Sequence, residues 1–430
     1  MNSIIALSCI MPRSKQVLFG ENTVNSAIKK YLNENIDKTV KTTKESCDTL
    51  IGLPFPYTTP CAEDSFQEMY YWDTYFTNAG LLLLGRTDIV KNNIENMFYL
   101  VNKYGFMPNG NRTYYLNRSQ PPFLSEMVKD LFNVTGDKEW LAHAYTVLKK
   151  EYDFWQGKRV TPTGLNGYFN YELFEDVLVK NYSYFYRRLG LTAKENPTRE
   201  DLLDAYYGGV SCYESGWDCS SRFKGEGNKF DMIDLNSLLY GMEENMRKFS
   251  EILGTGEEAE WEARKQSRRD KAALLWNAER GLFMDRNFET GEFSTYASVA
   301  SFYPMYVNMA SKEEAEKTVA LFDDLNLEYG ISAGESKRQL NCQWDYPNVW
   351  APLQFIMYNA LKNYGYDAQA RIVAEKYVAL VERCFEKTGN LWEKYNGLTG
   401  DVACSDYKAP KMMGWTAGVY VYLNHELGLI

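Results

Sequence analysis

LLLLGRTDIVKNNIENMFYLVNKYG, residues 81–105, carries the logic of the whole chain in one segment. Val90, Ile94, Met97, Phe98 and Val101 recur at three- and four-residue intervals, so one face of a helix over about 87–103 is apolar. Gly85 precedes that helix, and Thr87 stands where it would be capped. A Gly that closes one helix in the left-handed conformation, followed closely by an acidic or hydroxylic residue that opens the next, makes an antiparallel helical hairpin. The same punctuation returns at Gly136 with Asp137, Gly254 with Glu257 and Gly365 with Asp367. Thr23 caps a first amphipathic helix through Val24, Ala27, Ile28, Tyr31 and Leu32, and Ser311 with Glu314 reads as a capping box. Periodicity predicts further helices over 137–156, 233–253, 257–277, 311–327, 348–363 and 367–386, while strand-like alternation is scarce. Hairpins spread along a chain without a Pro/Ser/Gly linker argue for one closed array. The expected fold is all-α, an α/α toroid of helical hairpins. Residues 1–50 would be a helical extension packed on it, and 51–430 a single domain.

Between the helices lie stretches that read as irregular, at 50–72, 105–122, 158–232, 328–347 and 388–412. Long loops in a compact domain usually carry function. Over 430 residues the composition is 45% hydrophobic and 24% charged, which excludes disordered and low-complexity classes. A net charge of -10 with no basic face argues against nucleic acid or anionic lipid as partner. No apolar run approaches the ~20 residues that cross a bilayer. The eight cysteines lack CxxC spacing and read as reduced, buried thiols. The opening MNSIIALSCIMPRSK has a short apolar stretch with no basic residue before it, so a cytoplasmic location is expected, with secretion left open. Only His143 and His425 are present, and phosphate-binding glycine patterns are missing, so neither a metal nor a nucleotide cofactor is expected. Carboxylates remain as the acid/base candidates.

Aromatic residues reach 15%, with 33 Tyr and 10 Trp. Five tryptophans stand directly before an acid. Trp261-Glu262 lies in a charge-dense helical run and reads as a solvated face with one buried ring. The other four, Trp72-Asp73, Trp217-Asp218, Trp344-Asp345 and Trp392-Glu393, fall in or beside the irregular stretches. An aromatic ring that covers the C–H face of a pyranose, next to a carboxylate that binds hydroxyls or moves protons, suits a sugar ligand. Taken singly, each pair is better explained by packing and capping; four together in one chain favour the sugar reading. Asp345, two residues before Pro347, also suits a turn, and Asp234 could cap a helix.

The motifs carrying these pairs resemble the trehalases of glycoside hydrolase family 37 from about Phe66 to the C-terminus. QWDYPNVWAPLQ (343–354) and FQEMYYWDTYF (66–76) match the family's two signatures. Between and after them come PNGNRTYYLNRSQPP (108–122), ESGWDCSSR (214–222), DLNSLLY (234–240), EKYN (393–396) and GWTAGV (414–419), in the family's order. The resemblance implies an (α/α)6 toroid as catalytic domain and an inverting hydrolase acting on α,α-trehalose or a related small α-glucoside. Asp218 falls on its general acid and Glu393 on its general base. Trp72, Asp73, Asn109, Arg118 and Gln120 match sugar-pocket positions; Phe66, Trp217, Arg222, Trp344, Asp345, Trp350 and Trp415 are further candidates for substrate contact. Inversion needs the two carboxyl groups about 6.5–9.5 Å apart. For Asp218 to hold a proton, a dry aromatic surround and a neighbouring carboxylate would help, and Arg118 or Arg222 aimed at it would oppose.

Departures bear on the substrate. Ser65 stands where the family has a substrate-contacting Arg, NGLTGDVACSDYKAPKMMGW (396–415) replaces a glycine-rich lid, and Arg199-Glu200 only loosely corresponds to an upstream Arg-x-Glu pair. Asp406, Tyr407 and Trp415 are the candidates to cover the pocket. The alternatives are therefore a hydrolase of a different small α-glycoside and a sugar-binding protein that has lost turnover.

Overall fold

The computed structural model describes residues 23–169, 171–337, 342–403 and 407–429. Their helices are α1 (Thr23–Asn35), α2 (Tyr71–Leu83), α3 (Thr87–Tyr104), α4 (Leu124–Thr135), α5 (Lys138–Lys158), α6 (Leu178–Arg188), α7 (Arg199–Glu214), α8 (Ile233–Leu253), α9 (Glu258–Lys271), α10 (Tyr303–Tyr306), α11 (Lys312–Val319), α12 (Phe322–Leu325), α13 (Ala351–Asn363), α14 (Asp367–Thr388) and α15 (Gly414–Glu426). Six of them close a ring: α2 packs on α4, α4 on α8, α8 on α10, α10 on α13, α13 on α15, and α15 back on α2. The helix that follows each of the first five in sequence, α3, α5, α9, α11 or α14, forms an outer layer, and α1 lies against α14. This is the α/α toroid expected from the hairpins, closed by six inner helices as the family resemblance implies.

The layers differ because their environments differ. In α9, EAEWEARKQSRRDK, only Trp261 and Arg268 are buried, as suits an outer helix that shows most of its surface to water. By contrast α2 and α15 bury side chains on nearly every face, since each touches two ring neighbours as well as outer elements. Their contact is close enough to exclude side chains. A Cβ on Gly418 would lie 2.0 Å from the Phe76 carbonyl oxygen, and one on Gly80 would lie 2.5 Å from Gly418 Cα. The ring shuts through backbone-to-backbone contact that only Gly permits.

Most expected boundaries hold. Asp137 accepts from Trp140 N at 3.0 Å, and both capping-box bonds of Ser311 and Glu314 form. Thr87 is not a cap: Arg86 occupies that position without a side-chain cap bond, and Thr87 begins the helix. The helix expected over 311–327 breaks into α11 and the single turn α12, and the one expected over 257–277 ends at Lys271. The one expected from 348 starts at Ala351, because Asn348–Trp350 pairs antiparallel with Lys394–Asn396 and Pro352 opens the helix. The largest difference is in 158–232, where α6 and α7 form, the latter opened by a capping box between Thr198 and Asp201. Consecutive glycines, Gly208 and Gly209, interrupt α7's apolar pattern; a Cβ on Gly208 would lie 1.9 Å from the Gly225 carbonyl oxygen.

Candidate active site

Inner helices bring the motifs to one end of the ring. Trp72 and Asp73 lie in the first turn of α2, Trp415 in the first turn of α15, and Trp350 immediately before α13. Around these helix starts is a cavity of about 130 Å³ whose wall includes Asp218 and Glu393. Phe66, Trp72, Asp73, Asn109, Arg118, Gln120, Trp344, Trp350 and Trp415 also line it. The opposite ends of the same helices enclose a separate cavity of about 430 Å³, walled by Tyr75, Glu126, Lys129, Tyr306 and His425, which holds none of these residues.

Tryptophans make the floor. Trp344 and Trp350 stack at 3.9 Å between ring centroids and 4° between planes, while Trp72 and Trp415 meet them at 5.5 to 6.2 Å. Indole N–H groups then fix the loops: Trp350 Nε1 donates to the Gln343 carbonyl at 3.0 Å and Trp415 Nε1 to the Glu393 carbonyl at 3.0 Å. Gly216 lies against this floor with a left-handed φ of +74°, and a Cβ there would sit 2.7 Å from the Trp72 ring. Both the turn and the ring therefore demand Gly before Trp217 and Asp218.

Strand pairing holds Glu393. Lys394 pairs with Trp350 across the ribbon, so the two motifs that sequence separates by some forty residues are joined by main-chain bonds. The Glu393 carboxylate is buried and accepts on both oxygens, from Lys394 Nζ at 2.8 Å and Tyr407 OH at 2.6 Å. Lys394 is itself fully buried, donates to Gln343 Oε1 at 3.0 Å and lies 3.5 Å over the Tyr407 ring. Asp218 is held differently. Its side chain is 34% exposed, and Arg188 Nη1 approaches its Oδ2 at 3.7 Å. A guanidinium at that distance favours the charged carboxylate. The cation that opposes a proton on Asp218 is thus Arg188, reaching in from α6, in place of the Arg118 or Arg222 considered from sequence.

Asp73 faces both acids. Burial, with Glu393 and Asp218 adding to it, pushes its carboxyl from the ordinary 3.8 up to about 8. At neutral pH it carries a proton and can donate a hydrogen bond, which neither of its neighbours in the ionised state can do.

Three expected sugar contacts stand behind the cavity wall. Arg222 is fully buried, with Nε and Nη2 on Asp285 and Nη1 on Asp234, each at 2.9 Å. Trp217 is buried beneath that guanidinium, 4.5 Å from it, and packs on Trp344. Asp345 is fully buried and accepts from Ser220 Oγ, Ser221 N and Ser221 Oγ at 2.7 to 3.0 Å, tying the loop after Asp218 to the loop after Trp344. Arg222 and Asp345 have their polar atoms engaged by protein, and Trp217 is covered by Arg222, which leaves a sugar little to bind. Trp392, turned outward onto Thr388 Oγ1, also misses the cavity. Sequence reasoning missed Lys394, although it follows Glu393 in a matched motif, and Arg188, whose helix it read as loop. Tyr407 was considered only as cover, and Asp406 lies outside the described residues.

The family model Trehalase matches residues 10–428. The chain belongs to the trehalase family. A periplasmic trehalase of Xanthomonas campestris pv. campestris is 32% identical over 425 residues, covering 93% of this chain and 73% of that protein. One of Citrobacter koseri is 34% identical, covering 86% and 68%. In structure, the neutral trehalase of Saccharomyces cerevisiae matches with a TM-score of 0.73 and 27% identity over 86% of this chain and 73% of that one. A mannosylglycerate hydrolase of family GH63 from Thermus thermophilus, 14% identical with a TM-score of 0.63, shares the toroid. The expected cytoplasmic location is overturned, because these bacterial trehalase relatives are periplasmic enzymes. That expectation rested on the opening MNSIIALSCIMPRSK, which lies outside the described residues.

Proposed function

We infer that this trehalase hydrolyses α,α-trehalose to two glucose molecules by inversion, with Asp218 as general acid and Glu393 as general base. The carrying observation is the convergence of both carboxylates on one tryptophan-floored cavity, with Asp73 electrostatically coupled to the two of them. In this reading Glu393, which accepts from Lys394 and Tyr407, takes the proton of a water attacking C1, while Asp218 protonates the departing oxygen from the opposite side. Proton-bearing Asp73 and the amides of Asn109 and Gln120 bind hydroxyls of the ring being cleaved, and Trp72 and Trp344 cover its apolar face. Arg118 stacks over Tyr115 and Tyr213 at 4.9 and 5.3 Å, at the side toward the leaving glucose. A small neutral sugar is the partner this lining suits.

Asp218→Asn and Glu393→Gln test the assignment. Each is expected to lower kcat by orders of magnitude with modest change in KM, as for groups that act mainly in the transition state. Near wild-type turnover in either variant would refute it. Proton NMR of the first product anomers should show equal α- and β-glucose, one from the leaving ring and one from the attacked ring; all-α product would refute inversion.

A further inference from the structure

Beyond Asp218 the catalytic cavity opens into a second cleft of about 660 Å³, roughly five times larger. The two share Phe66, Tyr115, Arg118, Tyr213 and Asp218 as common walls. Because Asp218 is the group that meets the leaving oxygen, this cleft lies where a leaving group departs. A second glucose needs only the part nearest Asp218, and a space in the range that buries whole drug-sized ligands remains past it.

The far wall belongs to α6 and the turn before it. Phe174, Tyr184 and Tyr114 line the cleft while 40%, 45% and 51% exposed, so three large rings face open space there instead of core. A single exposed ring needs no explanation, but three around one cleft that adjoins a catalytic acid form a platform. Asn117 and Asn181 stand among them with amide groups suited to hydroxyls. Of the three cations that line it, Arg118 lies over Tyr115 and Tyr213, and Arg188 lies 5.8 Å over Tyr184 and pairs with Asp218. With those two charges answered by rings and carboxylate, and Asp176 lining the cleft along with Lys180, the lining favours a neutral ring-shaped ligand over a phosphate.

We propose that this cleft is a further sugar subsite, and that the enzyme cleaves trehalose whose leaving glucose carries an additional glucosyl unit. The inference rests on the trehalase reading above, with the cleaved ring over Trp72 and the leaving ring past Asp218. The chemistry is unchanged: water supplies hydroxide to C1, the C1–O bond breaks, the leaving oxygen takes the Asp218 proton, and the proton lost by water passes to Glu393. The products are glucose and a disaccharide.

The test compares kcat/KM for trehalose with that for trisaccharides bearing one glucosyl on O4 or O6 of trehalose, for the wild type, Phe174→Ala and Phe174→Tyr. The wild type should cleave at least one trisaccharide within about ten-fold of trehalose. Phe174→Ala should lose about ten-fold or more on that trisaccharide and less than about two-fold on trehalose, while Phe174→Tyr, which keeps the ring, should recover most of the loss. Hydrolysis of trehalose with no cleavage of either trisaccharide would overturn the subsite and leave the trehalase reading standing. Equal losses on both substrates would overturn it too, as would efficient cleavage of trehalose 6-phosphate that depends on Lys180 and not on the rings. No glucose from trehalose or from any trisaccharide would instead sink the underlying reading.

Discussion

Replacing Asp73 by Asn separates its proton from its shape. The wild-type carboxyl, raised from 3.8 to about 8 by burial and by its two acidic neighbours, stays protonated in the folded protein while the unfolded chain releases the proton above about pH 4. The folded state therefore binds the proton more tightly. Its contribution to stability is fully present below the unfolded value and is lost as pH rises toward about 8. Each pH unit corresponds to about 1.4 kcal/mol, so between about pH 5 and pH 7.5 this one group should lower the unfolding free energy by about 3 kcal/mol. The amide of Asp73→Asn cannot titrate. In urea denaturation at the two pH values, the wild type should lose about 3 kcal/mol more than the variant, the titrating groups remote from the cavity cancelling in the comparison.

Activity gives an independent reading of the same proton. Above about pH 8 Asp73 adds a negative charge to the cavity beside the catalytic pair, and a donor to the sugar becomes an acceptor. The alkaline limb of kcat/KM near pH 8 should be present in the wild type and displaced upward in Asp73→Asn. If the two proteins show the same pH slope of stability and the same alkaline limb, Asp73 does not hold a proton at neutral pH and its place in the sugar site must be rethought.

Three other substitutions probe the supports of the site. Lys394→Met removes the buried ammonium on Glu393 Oε2 and should lower kcat/KM about ten- to hundred-fold, in line with a charge-assisted hydrogen bond; turnover within about two-fold of the wild type would show that Lys394 does not support Glu393. Arg222→Leu strands Asp234 and Asp285 as unpaired buried acids and should cost about 3–5 kcal/mol in chemical denaturation. Raised KM for trehalose with unchanged stability would return Arg222 to the sugar site. Gly418→Ala forces α2 and α15 apart and should cost about 1–3 kcal/mol or more, seen as a lowered Tm; an unchanged Tm would show that the helices can part freely.

How legible the chain is depends on what each residue must satisfy. Outer helices such as α3 and α14 answer to water on one side and to the ring on the other, so a 3.6-residue stripe marks them, and Gly with a capping residue marks their ends. Inner helices α2 and α15 answer to protein all round. Their stripe is erased: α2 shows only as what must precede Gly85, and α15 goes unread as a helix although the matched motif GWTAGV lies within it. Pairs of Trp and acid in loops pointed to the catalytic cavity, yet the pattern could not separate an acid facing the sugar from one bracing the loop. Asp73 and Asp345 look alike in sequence, each following a Trp within a family signature. One opens a helix and faces the cavity; the other has Ser220 and Ser221 across 125 residues of chain to bind it. That difference is made by a long-range contact, and so is the role of Arg188, since nothing local to α6 tells a guanidinium that it will end beside Asp218. The roles hardest to read from sequence, those of Arg188, Asp345 and Arg222, are those set by partners that only the closed ring brings near.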